Sequence, residues 1–238
     1  RNPGKQIDRV VAAIDAARRE LADMGEEEGE QEPTTQDLLA AATLPREAVP
    51  ADAPAEKVST PYREATLPTP STFGAILDSD PADLRKAVVS VVEQEGPIHE
   101  DDVVTRLRTS WGAKRSGPRI QAAVMAAIGG AKRTSQVAGE GRFLLPIQWT
   151  PGCRDRSGVS LASLRKAESI PPMEVDHAIV ALVRANHGLL DEEVPRAVAR
   201  TLGITLTSGV RELVDQRTRE LIRAGRLVMR DEMIVAAS

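Results

Sequence analysis

The chain has 238 residues, of which 41% are apolar but only 2% aromatic; it carries one cysteine and a formal net charge of −4. That length allows one or two ordinary domains. The scarcity of aromatic residues argues against a large aromatic-lined substrate pocket, and Cys153 alone cannot form an internal disulfide.

Charge is unevenly spread. Residues 1–83 carry a net −9 and residues 84–150 a net +4. Between Arg106 and Arg142 there are eight positive residues against one acid, Glu140. A local positive field on an acidic chain points to contact with a polyanion more directly than the total charge does.

Taken in order, Ile7, Val10, Val11, Ile14 and Leu21 fall at helical spacing, and Gly25 ends the pattern. Residues 1–25 are therefore expected to be the closing helix of a preceding domain. Residues 26–80 contain the acidic run GEEEGEQE and a succession of prolines, a composition that buries too little surface to offset its ordering entropy. They read as an acidic, proline-rich linker, largely disordered.

From residue 81 the pattern becomes regular. Leu84, Val88, Val91 and Val92 form an apolar helix stripe, which Gly96 and Pro97 stop. Ile98 follows in extended chain. A second helix opens on Glu100, Asp101 and Asp102, where the helix dipole favours acids, and closes at Gly112. Val103, Leu107 and Trp111 recur at steps of four. The basic turn Ala113-Lys114-Arg115-Ser116-Gly117 leads into a third helix, with Ser116 the expected N-cap and Pro118 in the first turn. Ile120, Val124 and Ile128 line that helix. The segment TSQVAGEGRFLLP reads as a hairpin turning at Gly139-Glu140-Gly141.

After a connector, 152–170, the order repeats over 171–238. Val194, Val198, Leu202 and Gly203 match Val103, Leu107, Trp111 and Gly112, a period of 91 residues. GRLVMRDEMIVA reads as a hairpin turning at Asp231-Glu232. Ile98 and Leu190 are each expected to add a short third strand to the hairpin of their own copy. The fold class is thus mainly α with small β-hairpins, arranged as tandem winged helix-turn-helix repeats, copy one over 81–151 and copy two over 171–238.

The run Gly96-Pro97-Ile98-His99, the acidic helix, Trp111-Gly112 and Arg119-Ile120 together resemble a C-terminal domain of unassigned function. That domain ends very large bacterial superfamily I helicases that also carry a very-short-patch-repair-like endonuclease domain. The opening residues RNPGKQIDRVVAAIDAARRE are similar to the closing helix of such an endonuclease domain. The resemblance implies the tail of a helicase–nuclease protein, with upstream helicase and nuclease domains in the same polypeptide and a setting in bacterial defence. It implies no catalytic residue in this region.

Nothing in the residues themselves supports catalysis. Gly4-Lys5 lacks the upstream glycine of a phosphate loop. His99, His177, His187 and Cys153 lack metal-ligand spacing, so no metal and no cofactor are expected. Glu100, Asp101 and Asp102 are better explained by the helix dipole than by a cation. The best functional candidates are the basic residues around the second and third helices of copy one: Arg106, Arg108, Lys114, Arg115, Arg119, Lys132, Arg133 and Arg142. In a helix-turn-helix module such positions meet DNA phosphates. The third helix offers few side chains able to discriminate bases, so binding to duplex or branched DNA is expected to be largely independent of sequence.

In copy two, Arg211, Asp215 and Arg219 stand at i, i+4 spacing and are expected to neutralise one another. Copy two therefore reads as a packing or docking module, and oligomerisation through it is the rival expectation: a protein-docking adaptor of tandem winged helices. The longest apolar run, about Ala122 to Ala131, falls well short of the roughly 18 residues of a bilayer span. With no leader visible after Arg1, the expected setting is the cytoplasm, without membrane contact.

Overall fold

The computed structural model describes residues 58–67, 76–113 and 117–237, all within the unit Asp52–Ser238. The expected N-terminal helix over 1–25 lies outside the described residues. The protein is mainly helical with small sheets. Helix α1 (Pro81–Glu95), strand β2 (Ile98–His99), helices α2 (Glu100–Ser110) and α3 (Pro118–Arg133), and strands β3 (Ala138–Glu140) and β4 (Phe143–Leu145) form the first half. The second half runs α4 (Pro172–Ala185), β6 (Leu189–Leu190), α5 (Val194–Thr201), α6 (Ser208–Arg223), β7 (Leu227–Arg230) and β8 (Met233–Ala236). Strands β1 (Thr60–Pro61) and β5 (Arg154–Asp155) pair in parallel outside both halves. Among the described residues no helix is long and apolar enough to cross a membrane.

The two halves repeat each other bond for bond at their helix ends. Gly112 and Gly203 both have left-handed backbones, at φ 67° and 63°. Gly112 N–H donates to Thr109 O and Ala113 N–H to Arg108 O; 91 residues later, Gly203 N–H donates to Arg200 O and Ile204 N–H to Ala199 O. After α3 and α6 the spacing becomes 90: Ser135 N–H donates to Lys132 O and Gln136 N–H to Ala131 O, as Gly225 does to Ile222 O and Arg226 to Leu221 O. One residue is therefore missing from the α5–α6 connection relative to α2–α3. The central strand of each sheet is the last in sequence, giving the orders β2-β4-β3 and β6-β8-β7. Ile98 pairs with Leu144 and Leu189 with Ile234, so the third strands expected around Ile98 and Leu190 are present.

The stripes read from the sequence become two aliphatic cores. Leu84, Val88, Val103, Leu107, Val124 and Ile128 fill the first; Val175, Ile179, Val194, Val198, Leu202 and Val214 fill the second. Fully burying one such side chain contributes roughly 1.5–3 kcal/mol. Asp80 caps α1 by accepting from Ala82 N–H at 2.7 Å, and His99 Nδ1 caps α2 by accepting from Asp101 N–H at 3.3 Å. Gly96 ends α1 where no side chain fits: a Cβ there would lie 2.5 Å from Val92 O and 2.6 Å from Pro146 Cδ. The N-cap of α3 is Gly117, not Ser116, and it offers no side-chain bond; Ser116 lies outside the described residues. The first hairpin turns at Gly141-Arg142, one residue later than its glycines suggested, because Glu140 still pairs with Phe143. The second turns at Asp231-Glu232 as expected, with both residues at positive φ (46° and 69°).

Two segments expected to be passive are built into the structure. Residues 58–67 fall inside the expected linker, yet Thr60 N–H donates to Cys153 O at 3.1 Å and Tyr62 N–H to Asp155 O at 2.9 Å. The connector 152–170 receives this strap and supplies Arg154 and Arg156. Both guanidinium groups lie against the Tyr62 ring, 4.7 and 5.2 Å from its centre. Arg154 Nε donates to Glu174 Oε1 at 2.8 Å, and its terminal nitrogens donate to Glu95 O and Pro97 O, both at 2.8 Å. Buried Arg156 donates to Glu174 Oε2 at 2.8 Å. One cluster thus ties the end of α1 to the start of α4 through the strap and connector. Burial, reinforced by the neighbouring Glu95 carboxylate, pushes the Tyr62 hydroxyl well above its ordinary ionisation range. Burial also pushes the Cys153 thiol up to about 11, with the charge of Glu174 adding to the effect.

Candidate nucleic-acid interface

The eight basic residues singled out in copy one meet different fates. Arg106 leaves the candidate surface. Its side chain is 12% exposed, with Nε donating to Glu95 Oε1 at 2.7 Å and the terminal nitrogens to Glu64 Oε2 at 3.0 Å and Ala65 O at 2.7 Å. Glu95 is fully buried and also accepts from Tyr62 Oη at 3.0 Å and Ala65 N–H at 2.9 Å. With its donors turned inward, Arg106 compensates a buried carboxylate and pins the strap. It has no share in a phosphate surface.

Arg108 donates to Ala113 O at 3.2 Å and so helps close the end of α2. Arg142 stands at the hairpin turn with 58% of its side chain exposed, but Nε donates to Glu100 Oε1 at 2.7 Å and NH2 to Asp101 Oδ2 at 2.9 Å. The hydrogen bond to Glu100 leads the effects that raise the guanidinium's already high pKa. The acids of the first turn of α2 therefore serve as a latch for the hairpin as well as complementing the helix dipole. Lys114 and Arg115 lie outside the described residues.

Arg119, Lys132 and Arg133 are exposed and take part in no ion pair of the described residues. Arg119 sits in the first turn of α3 and the other two in its last. Arg119 and Arg133 are about 21 Å apart along the helix axis at 1.5 Å per residue. Lys132 lies along the hairpin, its Nζ 3.1 Å from where a Cβ on Gly139 would stand. Arg133 lies back over Gly129 and Gly130, and Arg85 of α1 reaches the same place: Arg85 Cδ is 3.5 Å and Arg133 NH2 4.0 Å from a Cβ built on Gly130. Arg85 and Arg133 thus meet over the Gly129-Gly130 pair, with Lys132 in the same last turn of α3 but lying toward the hairpin; the helix dipole also favours positive charge at this end. Arg85 escaped the sequence reading because an Arg-Lys pair early in α1 looks like an ordinary solvated face. Its only signal is the Gly129-Gly130 pair, which leaves room for a long side chain to lie on α3.

Between these ends the exposed positions of α3 are Gln121, Ala122 and Ala126. The expected i, i+4 pairs in copy two are absent from the ion pairs of the described residues. Instead Arg217 pairs with Asp176 of α4 at 2.6 Å and with Glu220 of its own helix. Among the described residues no group of three His, Cys, Asp or Glu converges on a point where a metal could sit.

A family model described as "Protein of unknown function (DUF3320)" matches residues 75–122, from just before copy one through α2 and into α3. No curated protein and no solved structure matches the chain. The family match is compatible with the helicase-associated C-terminal domain that the motifs of copy one resemble.

Proposed function

We propose that this region is a non-catalytic DNA-binding tail of a helicase–nuclease protein, built from tandem winged helix-turn-helix repeats. It grips backbone phosphates with copy one and does so largely without regard to sequence. The observation that carries this reading is the make-up of α3. Its ends carry Arg119, Lys132 and Arg133, cations with no ion pair among the described residues, joined by Arg85 from α1. Its exposed middle carries Gln121, Ala122 and Ala126, of which only the glutamine could read a base edge. Phosphate contact without base readout gives salt-sensitive, sequence-tolerant affinity. Lys114 and Arg115 belong to the same basic stretch.

Titration of two unrelated labelled duplexes at several salt concentrations tests this. Lys132→Ala with Arg133→Ala weakens binding equally for both sequences, and the slope of log affinity against log salt falls by up to about two, since each phosphate contact contributes roughly 0.9. Unchanged affinity and slope refute it.

A second reading, the protein-docking adaptor, is favoured by a separate observation. Leu190, Val228 and Met233 point to the outer face of the copy-two sheet and are each a little more than one third exposed. The equivalent pair in copy one, His99 and Phe143, pack edge to face at 5.2 Å beside the Arg142 latch. Light scattering distinguishes the readings: a dimer dissociated by Met233→Glu supports docking.

A further inference from the structure

Copy two holds a cleft of about 770 Å³ between the connector and the α5–α6 turn. Arg165 and Lys166 enter it from the connector and Arg200 from the last turn of α5; Thr205, Thr207 and the backbone at Gly209 complete it. All three cations are exposed and none takes part in an ion pair of the described residues, while the lining contains a single acid, Glu168. The walls are held together closely. Arg156 N–H donates to Leu202 O at 2.8 Å, and Gly203 packs so tightly on residues 155–157 that a Cβ there would stand 1.9 Å from Asp155 Oδ1. The cleft is thus shaped before any ligand arrives.

We propose that this cleft binds a backbone phosphate group of a nucleic-acid strand, giving the tail a second grip in copy two. The assignment deepens the DNA-binding reading above and rests on it. Three arguments favour phosphate. Two guanidinium groups and an ammonium lining one open trough match a tetrahedral phosphodiester, which accepts several donors at once. Gly209 has no side chain to keep a ligand from the backbone, and its N–H has no acceptor among the described residues. The repeat itself supplies the third. The α5–α6 turn corresponds to the α2–α3 connection, which carries Lys114 and Arg115; the copy-two turn Ile204-Thr205-Leu206-Thr207 carries no cation. Arg165 and Lys166 of the connector bring positive charge to that same position. Both repeats are thereby basic at the helix-turn-helix connection, through different segments of the chain.

The test is fluorescence anisotropy of a labelled duplex with residues 1–238 carrying Arg165→Ala, Lys166→Ala and Arg200→Ala together. The expected result is affinity lower by on the order of tenfold and a salt slope smaller by about two to three, since each phosphate contact contributes roughly 0.9. Circular dichroism melting should change little, because the three exposed side chains make no hydrogen bond or ion pair among the described residues. Wild-type affinity and slope in the triple variant overturn the cleft, and leave the copy-one reading standing if Lys132→Ala/Arg133→Ala still weakens binding. A wild-type chain that binds no duplex at low salt overturns both. Displacement of the duplex by polyglutamate as readily as by unlabelled DNA of equal charge assigns the cleft to an acidic protein segment and overturns it as a phosphate site.

Discussion

Gly112 and Gly203 have the same left-handed backbone and the same pair of capping bonds, yet only Gly203 is covered. A Cβ on Gly112 would meet nothing within 4 Å among the described residues, whereas one on Gly203 would strike Asp155 Oδ1 at 1.9 Å and Ser157 N at 2.5 Å. The same turn recurs in both halves, and the connector covers one copy of it. Gly112→Ala should therefore cost only the left-handed strain, about 1–2 kcal/mol. Gly203→Ala should cost clearly more, because the connector must also move. Urea unfolding of the two variants measures the difference; equal losses would mean that the connector does not bear on Gly203.

Ser135 occupies the position that Gly225 fills in copy two, at φ 53° against 68°. A serine pays left-handed strain there that glycine avoids, partly offset by glycine's greater freedom in the unfolded chain. Ser135→Gly should stabilise the protein by up to about 1 kcal/mol in thermal unfolding, and Gly225→Ser should destabilise it.

Arg106 and Lys132 looked equivalent in the sequence and separate sharply in the structure. Arg106→Ala leaves Glu95 buried without its ion-pair partner, a change that typically costs roughly 3–5 kcal/mol. Lys132→Ala touches an exposed side chain and should stay within about 0.5 kcal/mol of wild type. Chemical denaturation run beside duplex titration should place the first variant's effect in stability and the second's in binding.

Glu64 links the strap to both α2 and the connector. Burial tends to raise its pKa, but the N–H and hydroxyl of Ser160, at 2.6 and 2.7 Å, together with Arg106, outweigh that and hold it below the ordinary 4.5. The folded state therefore favours the carboxylate. Its contribution is fully present above about pH 4.5 and is lost as pH falls through the lower folded value. Glu64→Gln should lower stability by roughly 1–3 kcal/mol at neutral pH. Below pH 4.5 its melting temperature should fall less steeply than that of the wild type.

Much of the architecture was legible because periodicity reports burial. Val103, Leu107, Val194 and Val198 could be assigned to cores from spacing alone, and Gly112 and Gly203 to helix ends from what a left-handed residue demands. Local chemistry also marked the second hairpin turn. Long-range partners were not legible. Nothing in the spacing of Arg106 announces a buried Glu95 eleven residues earlier, reached only because the chain turns at Gly96. Tyr62 and Glu64 sit in a stretch whose composition reads as linker, since composition counts apolar surface and misses a few charged groups with well-placed partners. Latching of Arg142 by Glu100 and Asp101 depends on β4 lying beside β2, a pairing that only the folded sheet brings about.

The parallel pairing of β1 with β5 has a mechanical side. Tension arriving along the chain from before residue 58 would meet Thr60, Tyr62 and Glu64 before it reached α1. Parallel strands pulled along their length resist in shear, with their bonds loaded together, and the two guanidinium groups on Tyr62 add friction to the same joint. The strap acts as a strain relief, as a cable clamp does: its bonds to the connector, and its residues Val58 and Ala65 packed on the two aliphatic cores, would share the load before α1 felt it.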